Sequence, residues 1–179
     1  MTLPFGRFTG TVYRGHHPMW AYDPLSGAGA ARFGGRFNAP GLPTLYTALR
    51  PETAWTEAQQ GFAFKAQPLT LCAYDVDCTD VLDLTDPNVL AGCQSDMAVL
   101  ACAWEDLARQ KKQPPSWALA ERLRAEGAAA IIVPSFAARA DARDRNMIFF
   151  NWSDALPHRL QVIDDEHRLP KNMSSWTLQ

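Results

Sequence analysis

The stretch SGAGAARFGGRFNAPG, residues 26–41, gathers five glycines, two arginines and an asparagine without one acidic residue. Glycine permits backbone conformations and close approaches that other residues forbid. A planar guanidinium beside backbone N–H groups is the chemistry that binds anionic, often phosphorylated, ligands. The composition therefore fits a phosphate-binding segment, and it fits a flexible loop between two strands equally well.

This stretch matches neither of the two common phosphate-binding motifs. No GKS or GKT follows the glycines, which excludes a P-loop. GAGAAR has the first two glycines of the dinucleotide-binding fingerprint, but GGRFN interrupts it and no helix is predicted after it. Arg36 lies between a glycine pair and Phe37-Asn38, where its guanidinium can reach a phosphate. A solvated surface arginine is the alternative.

Two further polar residues lie in predicted strands. Arg14 falls inside an apolar segment beside Tyr13, where a fully solvated arginine is unusual. Its position indicates either the floor of a cleft or an edge strand. Tyr46 lies in the β-rich run PTLYTAL, and on its own a tyrosine in a strand indicates core packing.

Glu57 and Ser135 are candidates whose local signals are weak. Glu57 lies in the predicted helix PETAWTEAQQ, off its apolar stripe, and periodicity alone favours a solvated glutamate. Ser135 follows Pro134 at the end of an apolar strand, where open sheets build their sites. No GxSxG motif surrounds it, so an activated hydrolase serine is not predicted. The apolar stripe consists of Ala54, Trp55, Ala58 and Phe62.

Metal binding and disulfide bonds are not predicted. His16 and His17 are adjacent, and no carboxylate or cysteine is spaced to complete a metal site with them. The four cysteines form no CxxC pair, so a reduced, cytoplasmic protein is the simplest interpretation. These cysteines are Cys72, Cys78, Cys93 and Cys102.

The length, the hydrophobic fraction and the net charge fit one ordinary globular domain. The chain has 179 residues, 47% of them hydrophobic, and a net charge of −2, which favours neither duplex DNA nor an anionic membrane. The start of the chain lacks the apolar core of a signal peptide. We predict a single domain over residues 1–179, with its core at about 11–164 and a polar, loosely ordered tail at 167–179.

Strand and helix signals mix without strict alternation, and several connections are too short for a crossover helix. These features predict an α+β fold with a partly antiparallel sheet. Strands are predicted at 11–15, 43–49, 69–76, 81–84, 128–136, 147–152 and 160–164. Helices are predicted at 51–60 with Gly61 after it, at 86–93, at 95–112 with Ser95 as its cap, and at 116–127 with Ser116 as its cap.

Together these segments resemble the RES-domain family, the toxins of bacterial toxin–antitoxin pairs whose antitoxins carry an Xre-type DNA-binding domain. The matching segments are VYRGHHP, GGRFNAPGLPTLYTA, ETAWTEAQ and IIVPSF, in the family's order. The resemblance extends over most of the chain, and the block from residue 34 to residue 57 is its most specific part.

The resemblance implies a fold and an activity. The fold is similar to that of ADP-ribosyltransferases of the diphtheria-toxin type: a mixed, partly antiparallel sheet core with surrounding helices. The substrate is NAD, and no metal is needed. By position, Arg36, Tyr46 and Glu57 match the family's catalytic set; Arg14 and Ser135 match two further NAD-binding positions, and Asn151 is a looser match.

The implied chemistry suits NAD. A guanidinium binds the pyrophosphate, and a tyrosine face stacks on the nicotinamide. A carboxylate stabilises the ribosyl cation that forms when the N-glycosidic bond breaks. The acceptor of ADP-ribose stays open between phosphate, water and a protein.

The resemblance also implies partners: an Xre-type antitoxin that covers the active site, and a toxin homodimer within a larger complex. A different class of protein, a non-catalytic nucleotide- or RNA-binding module, remains as the alternative. Six tryptophans and the arginine-containing loop could stack on and clamp a strand of RNA. The near-neutral net charge argues against that alternative.

Overall fold

The structure is a computed structural model that describes residues 3–59 and 67–176. Five strands form a closed ring in the order β1, β2, β5, β4, β3 and back to β1. The sixth strand, β6, pairs with residues 74–78 of β3, before the residues of β3 that pair with β4. The strands are β1 (Gly6–His16), β2 (Leu45–Ala48), β3 (Thr70–Asp83), β4 (Ala130–Pro134), β5 (Arg145–Phe149) and β6 (His158–Val162).

The ring is mixed, as the sequence predicts. The β3–β4 pair is parallel and the other pairs are antiparallel. β1 runs along β3 for almost its whole length, from Gly6 opposite Val81 to His16 opposite Thr70. In the described residues β1 meets β2 at one register position, Tyr13 opposite Ala48. The ring is therefore most weakly closed between β1 and β2.

The described helices are short and lie outside the ring. They are α1 (Ala28–Phe33), α2 (Pro51–Ala58), α3 (Pro87–Gly92), α4 (Met97–Leu100), α5 (Trp104–Arg109) and α6 (Pro115–Ala125). Single 3-10 turns occupy Pro18–Trp20 and Ser174–Trp176. Proline at the first position of α2, α3 and α6 suits a helix start, because the N–H it lacks has no partner there.

The central strands β4 and β5 are buried on both faces. Ile132 and Met147 belong to an apolar cluster to which all six strands contribute. Ile131 and Ile148 face the other way and pack with α3, α4 and α6 through residues such as Leu123. Burial on both faces explains why the sequence of β4 is a continuous apolar run rather than an alternating one.

Two predicted helix caps are wrong, and one predicted helix is divided into two. The predicted helix at 95–112 is two helices, α4 and α5, and its cap is Asp96, whose side chain accepts from the N–H of Val99, rather than Ser95. Ser116 does not cap α6; it lies inside that helix and is completely buried. At Ser116 a tertiary contact, the hydrogen bond from its hydroxyl to the Arg36 carbonyl, replaces the local capping pattern.

Other boundaries differ from the prediction. Strand β1 begins at Gly6 rather than at residue 11, and the predicted strands at 69–76 and 81–84 are one strand, β3. The glycine-rich stretch, for which no helix is predicted, contains α1. Gly61 and Phe62 lie outside the described residues. In the described part of the chain, no helix is long and apolar enough to cross a membrane.

We expect the two leucines of β3 to differ sharply in their contribution to stability. Leu82 is fully buried, whereas Leu71 is 42% exposed. Leu82→Ala leaves a cavity and lowers the free energy of unfolding by about 2–5 kcal/mol, measured by urea denaturation. Leu71→Ala, the matched control, changes it by about 0.5 kcal/mol or less. Equal losses in the two variants would contradict this placement of the core.

Candidate functional site

A cavity of about 460 Å³ opens beside the weak β1–β2 junction. This volume is within the range of small-molecule sites. Its walls come from β1, α1, the turn after α1, β2, α2, α5, β4 with the segment that follows it, and β5. The charged side chains that line it are Arg14, Arg36, Glu57 and Glu105.

Arg36 lies at the tip of a tight turn. The N–H of Gly35 donates to the carbonyl of Asn38 over 3.0 Å, and the two residues form an isolated β-bridge. Two side chains of α6 donate hydrogen bonds to the backbone carbonyls of this turn. Ser116 Oγ donates to the Arg36 carbonyl over 2.5 Å, and Trp117 Nε1 donates to the Gly35 carbonyl over 2.7 Å.

The Arg36 guanidinium explains why α4 and α5 are separate helices. Its Nη1 donates to the carbonyls of Leu100 and Cys102, over 3.3 Å and 2.8 Å. Ala103, the residue before α5, has non-helical backbone angles, so the helix does not continue from α4 into α5 and the two carbonyls face the arginine. The guanidinium also stacks over the Phe136 ring at 4.5 Å. Burial lowers the pKa of Arg36, although an arginine remains charged.

The Tyr46 hydroxyl makes two hydrogen bonds to the glycine-rich segment. Its Oη accepts from the N–H of Phe37 over 3.0 Å and donates to Oδ1 of Asn38 over 2.8 Å. Burial raises the pKa of this phenol well above its usual value, so it stays protonated and continues to donate. The ring lines the cavity, which leaves its face as the part of Tyr46 that is suited to a ligand.

Glu57 is held from two strands. Its Oε1 accepts from Ser135 Oγ over 2.5 Å and from Asn146 Nδ2 over 2.6 Å. Within α2, Glu57 lies three residues after Ala54 and one before Ala58, and all three line the cavity, as helical spacing allows. The predicted apolar stripe is wrong at Trp55, which is 45% exposed.

Arg14 fixes the segment that leads into α1. Its Nη1 donates to the carbonyls of Pro24 and Ser26, each over 3.0 Å. The Tyr74 hydroxyl donates to the same Pro24 carbonyl over 2.9 Å. Burial lowers the pKa of Arg14. Arg14 also lines the cavity, so it contributes positive charge there while it holds the glycine-rich segment in place.

The structure brings five of the six predicted site residues together. Arg14, Arg36, Tyr46 and Glu57 line one cavity, and Ser135 reaches it through its hydrogen bond to Glu57. The sixth, Asn151, is exposed and is not among the lining residues; its Nδ2 lies 3.1 Å from Nδ1 of His158. The catalytic and binding roles of these residues stay predictions.

Sequence reasoning missed Asn146, which lies at the second position of β5 and lines the cavity. Its register places it opposite Ala48 of β2 and Val133 of β4. The available signal was alternation: Met147 is buried in the strand cluster, so its neighbours Asn146 and Ile148 share the opposite face. Among the residues that the structure describes, no cluster of His, Cys, Asp or Glu is arranged to hold a metal ion.

The RES domain family model matches residues 11–172. The chain therefore belongs to the RES domain family, which confirms the resemblance found in the sequence. Proteins of Mycobacterium bovis and Mycobacterium tuberculosis named NAD(+) phosphorylase MbcT are 43% identical to it over 75 residues. That match covers 37% of this chain and 40% of the length of those relatives.

A solved structure shares the fold. The crystal structure of the M. tuberculosis MbcT-MbcA toxin-antitoxin complex contains a chain that superimposes with a TM-score of 0.58. The match covers 89% of this chain and 84% of that one, at 24% sequence identity. At this level of identity the comparison supports the α+β architecture with its sheet core.

We expect Gly35 to be the least replaceable glycine beside Tyr46. A Cβ at Gly35 would lie 2.5 Å from the Tyr46 hydroxyl oxygen, whereas one at Gly29, inside α1, would meet nothing within 4 Å. Gly35→Ala lowers the free energy of unfolding by about 1–3 kcal/mol. Gly29→Ala, the control, raises it by about 0.5–1 kcal/mol. Denaturant titration measures both, and an unchanged stability for Gly35→Ala would contradict the close approach.

Proposed function

We propose that this chain is an NAD-consuming toxin that breaks the nicotinamide–ribose bond and passes ADP-ribose to inorganic phosphate. The observation that carries the proposal is that the charged and aromatic groups suited to NAD line one cavity: Arg36, Tyr46 and Glu57. The name of the mycobacterial relatives, NAD(+) phosphorylase, favours phosphate over water or a protein side chain as the acceptor.

In this proposal each group serves one part of NAD. Arg36, already fixed by two carbonyls and by Phe136, offers its remaining N–H donors to the pyrophosphate. The face of Tyr46 stacks on the cationic nicotinamide. Glu57, on the same cavity wall as Ala54 and Ala58, lies beside the ribose.

The bond that breaks is the one between the ribose carbon C1 and the nicotinamide nitrogen. Its electron pair goes to the nicotinamide ring, which leaves as a neutral molecule, so no strong general acid is required. Positive charge then develops on the ribose, and the Glu57 carboxylate stabilises it only near the transition state. A phosphate oxygen forms the new bond to C1, and its proton passes to solvent. The products are nicotinamide and ADP-ribose phosphorylated at that carbon.

The same family membership supports a partner. We infer an antitoxin, of the Xre type, that covers the cavity, together with a toxin homodimer in a larger complex. Phe33 lines the cavity and is 72% exposed, so in this proposal it is an apolar side chain that the antitoxin contacts. The similarity of the NAD site to that of ADP-ribosyltransferases stays part of this proposal.

Incubation of the purified chain with NAD, with and without phosphate, tests the activity. We expect nicotinamide release that depends on phosphate, with a phosphorylated ADP-ribose identified by mass spectrometry. Free ADP-ribose would make water the acceptor, and a mass increase on an added protein would make a protein the acceptor. Intact NAD combined with tight RNA binding would favour the non-catalytic binding module instead.

Glu57→Gln removes the negative charge and keeps the shape of the side chain. We expect nicotinamide release to fall about 100- to 1,000-fold, while the melting temperature stays within a few degrees of that of the wild type. Glu52→Gln is the matched control, since Glu52 lies in the same helix with its side chain 68% exposed. Its release rate is expected to equal that of the wild type. Full activity in Glu57→Gln would remove Glu57 from the mechanism.

A further inference from the structure

Two donors from different strands converge on a single oxygen of Glu57. Ser135 follows β4, Asn146 lies in β5, and both donate to Oε1, over 2.5 Å and 2.6 Å. The Ser135 hydroxyl also accepts from the N–H of Ala137 over 3.2 Å. A hydroxyl rotates about its C–O bond, whereas an amide is planar and donates along fixed directions. Asn146 is therefore the more directional of the two restraints.

The orientation of the Asn146 amide is decided by Glu57. Only Nδ2 can donate to a carboxylate oxygen, so the amide must turn that atom toward Glu57. Its Oδ1 is then buried and has no hydrogen-bond partner among the described residues. A buried polar atom without a partner lowers stability.

An aliphatic side chain at this position would avoid that cost. The neighbours of Asn146 across the sheet are Ala48 and Val133, both apolar. An asparagine between them lowers stability through its unpaired Oδ1. What it provides in return is the hydrogen bond to Glu57. Such a local conflict between stability and polarity is typical of functional positions.

We propose that Asn146 is a positioning residue that holds the Glu57 carboxylate in the orientation needed to stabilise the ribosyl cation. The inference rests on the proposed function. Without Asn146, Oε1 would lose the more directional of these two donors, and α2 would present a less ordered carboxylate to the cavity. A misplacement of about 1 Å at a reacting centre costs about 100-fold in rate.

Asn146→Leu is the first test. It removes the Nδ2 donor together with the unpaired Oδ1. We expect kcat for nicotinamide release to fall about 100-fold with the KM for NAD within about threefold of the wild type, because Asn146 acts through Glu57 and not on NAD binding. The melting temperature is expected to stay equal to or above that of the wild type. A kcat within threefold of the wild-type value would overturn the inference.

Asn146→Asp is the second test, because a protonated carboxyl can replace the lost donor. Once ionised, Asp at this position repels Glu57; once protonated, it donates an O–H to Oε1. The pH optimum of kcat is therefore expected to move in the acid direction relative to the wild type. The other charged side chains that line the cavity, Arg14, Arg36 and Glu105, are the same in both proteins. A loss of kcat that is equal at every pH would overturn the inference.

Asn172→Asp controls for the substitution itself. Asn172 is exposed, and its Oδ1 accepts from the N–H of Ser174, a bond that aspartate retains. We expect its kcat and pH profile to equal those of the wild type. A shifted pH optimum in this control would overturn the assignment of the shift to position 146.

A crystal structure of Asn146→Leu tests the inference without any activity measurement. We expect the Glu57 carboxylate to rotate or to occupy more than one conformation. A carboxylate that stays in its wild-type position would overturn the inference. If the wild-type chain leaves NAD intact, the proposed function fails, and this structure still decides whether Asn146 positions Glu57.

Discussion

The hydrogen bonds to Oε1 of Glu57 are the interaction on which the arrangement of the site depends. They join α2 to the end of β4 and the beginning of β5, two segments that lie next to each other only because those strands pair. A carboxylate on a short helix otherwise faces solvent and reorients freely. Here the sheet holds it against a cavity wall, so that its charge is directed at one place. Preorganised charge of this kind acts at the transition state without the cost of reorienting a side chain.

The turn that carries Arg36 is held by hydrogen bonds between side chains and backbone carbonyls. Its carbonyls accept from two side chains of α6, and its guanidinium donates to carbonyls at the break between α4 and α5. The arginine is thus a structural link between three helical segments and also a charged group in the cavity. Arg14 has a similar double role in the segment before α1. Both guanidiniums donate hydrogen bonds to neutral carbonyls, and a guanidinium has further N–H donors that can bind an anion.

Tyr46 explains why one position of the glycine-rich stretch, residue 35, is a glycine. The phenol lies so close to Gly35 that a methyl group there would collide with it, and the hydroxyl binds the backbone and the asparagine of the same stretch. Gly35 therefore allows close packing of the turn against one tyrosine. At Gly35 the close approach is to another part of the chain, and the approach of the glycine-rich stretch to a ligand stays a prediction.

The sequence by itself determined the approximate positions of the strands, the starts of α2 and α3, the single-domain α+β class and the family. These depend on local signals: apolar runs, prolines at helix starts, and the motif block from residue 34 to residue 57. The tertiary structure alone decided that the ring closes, that α4 and α5 separate, and that Glu57 faces a cavity instead of solvent. It also placed Asn146 in contact with Glu57 and Asn151 on the surface. The reason is separation along the chain. Ser135 and Asn146, which donate to Glu57, lie 78 and 89 residues away from it, and helical periodicity reports only on neighbours within a few turns.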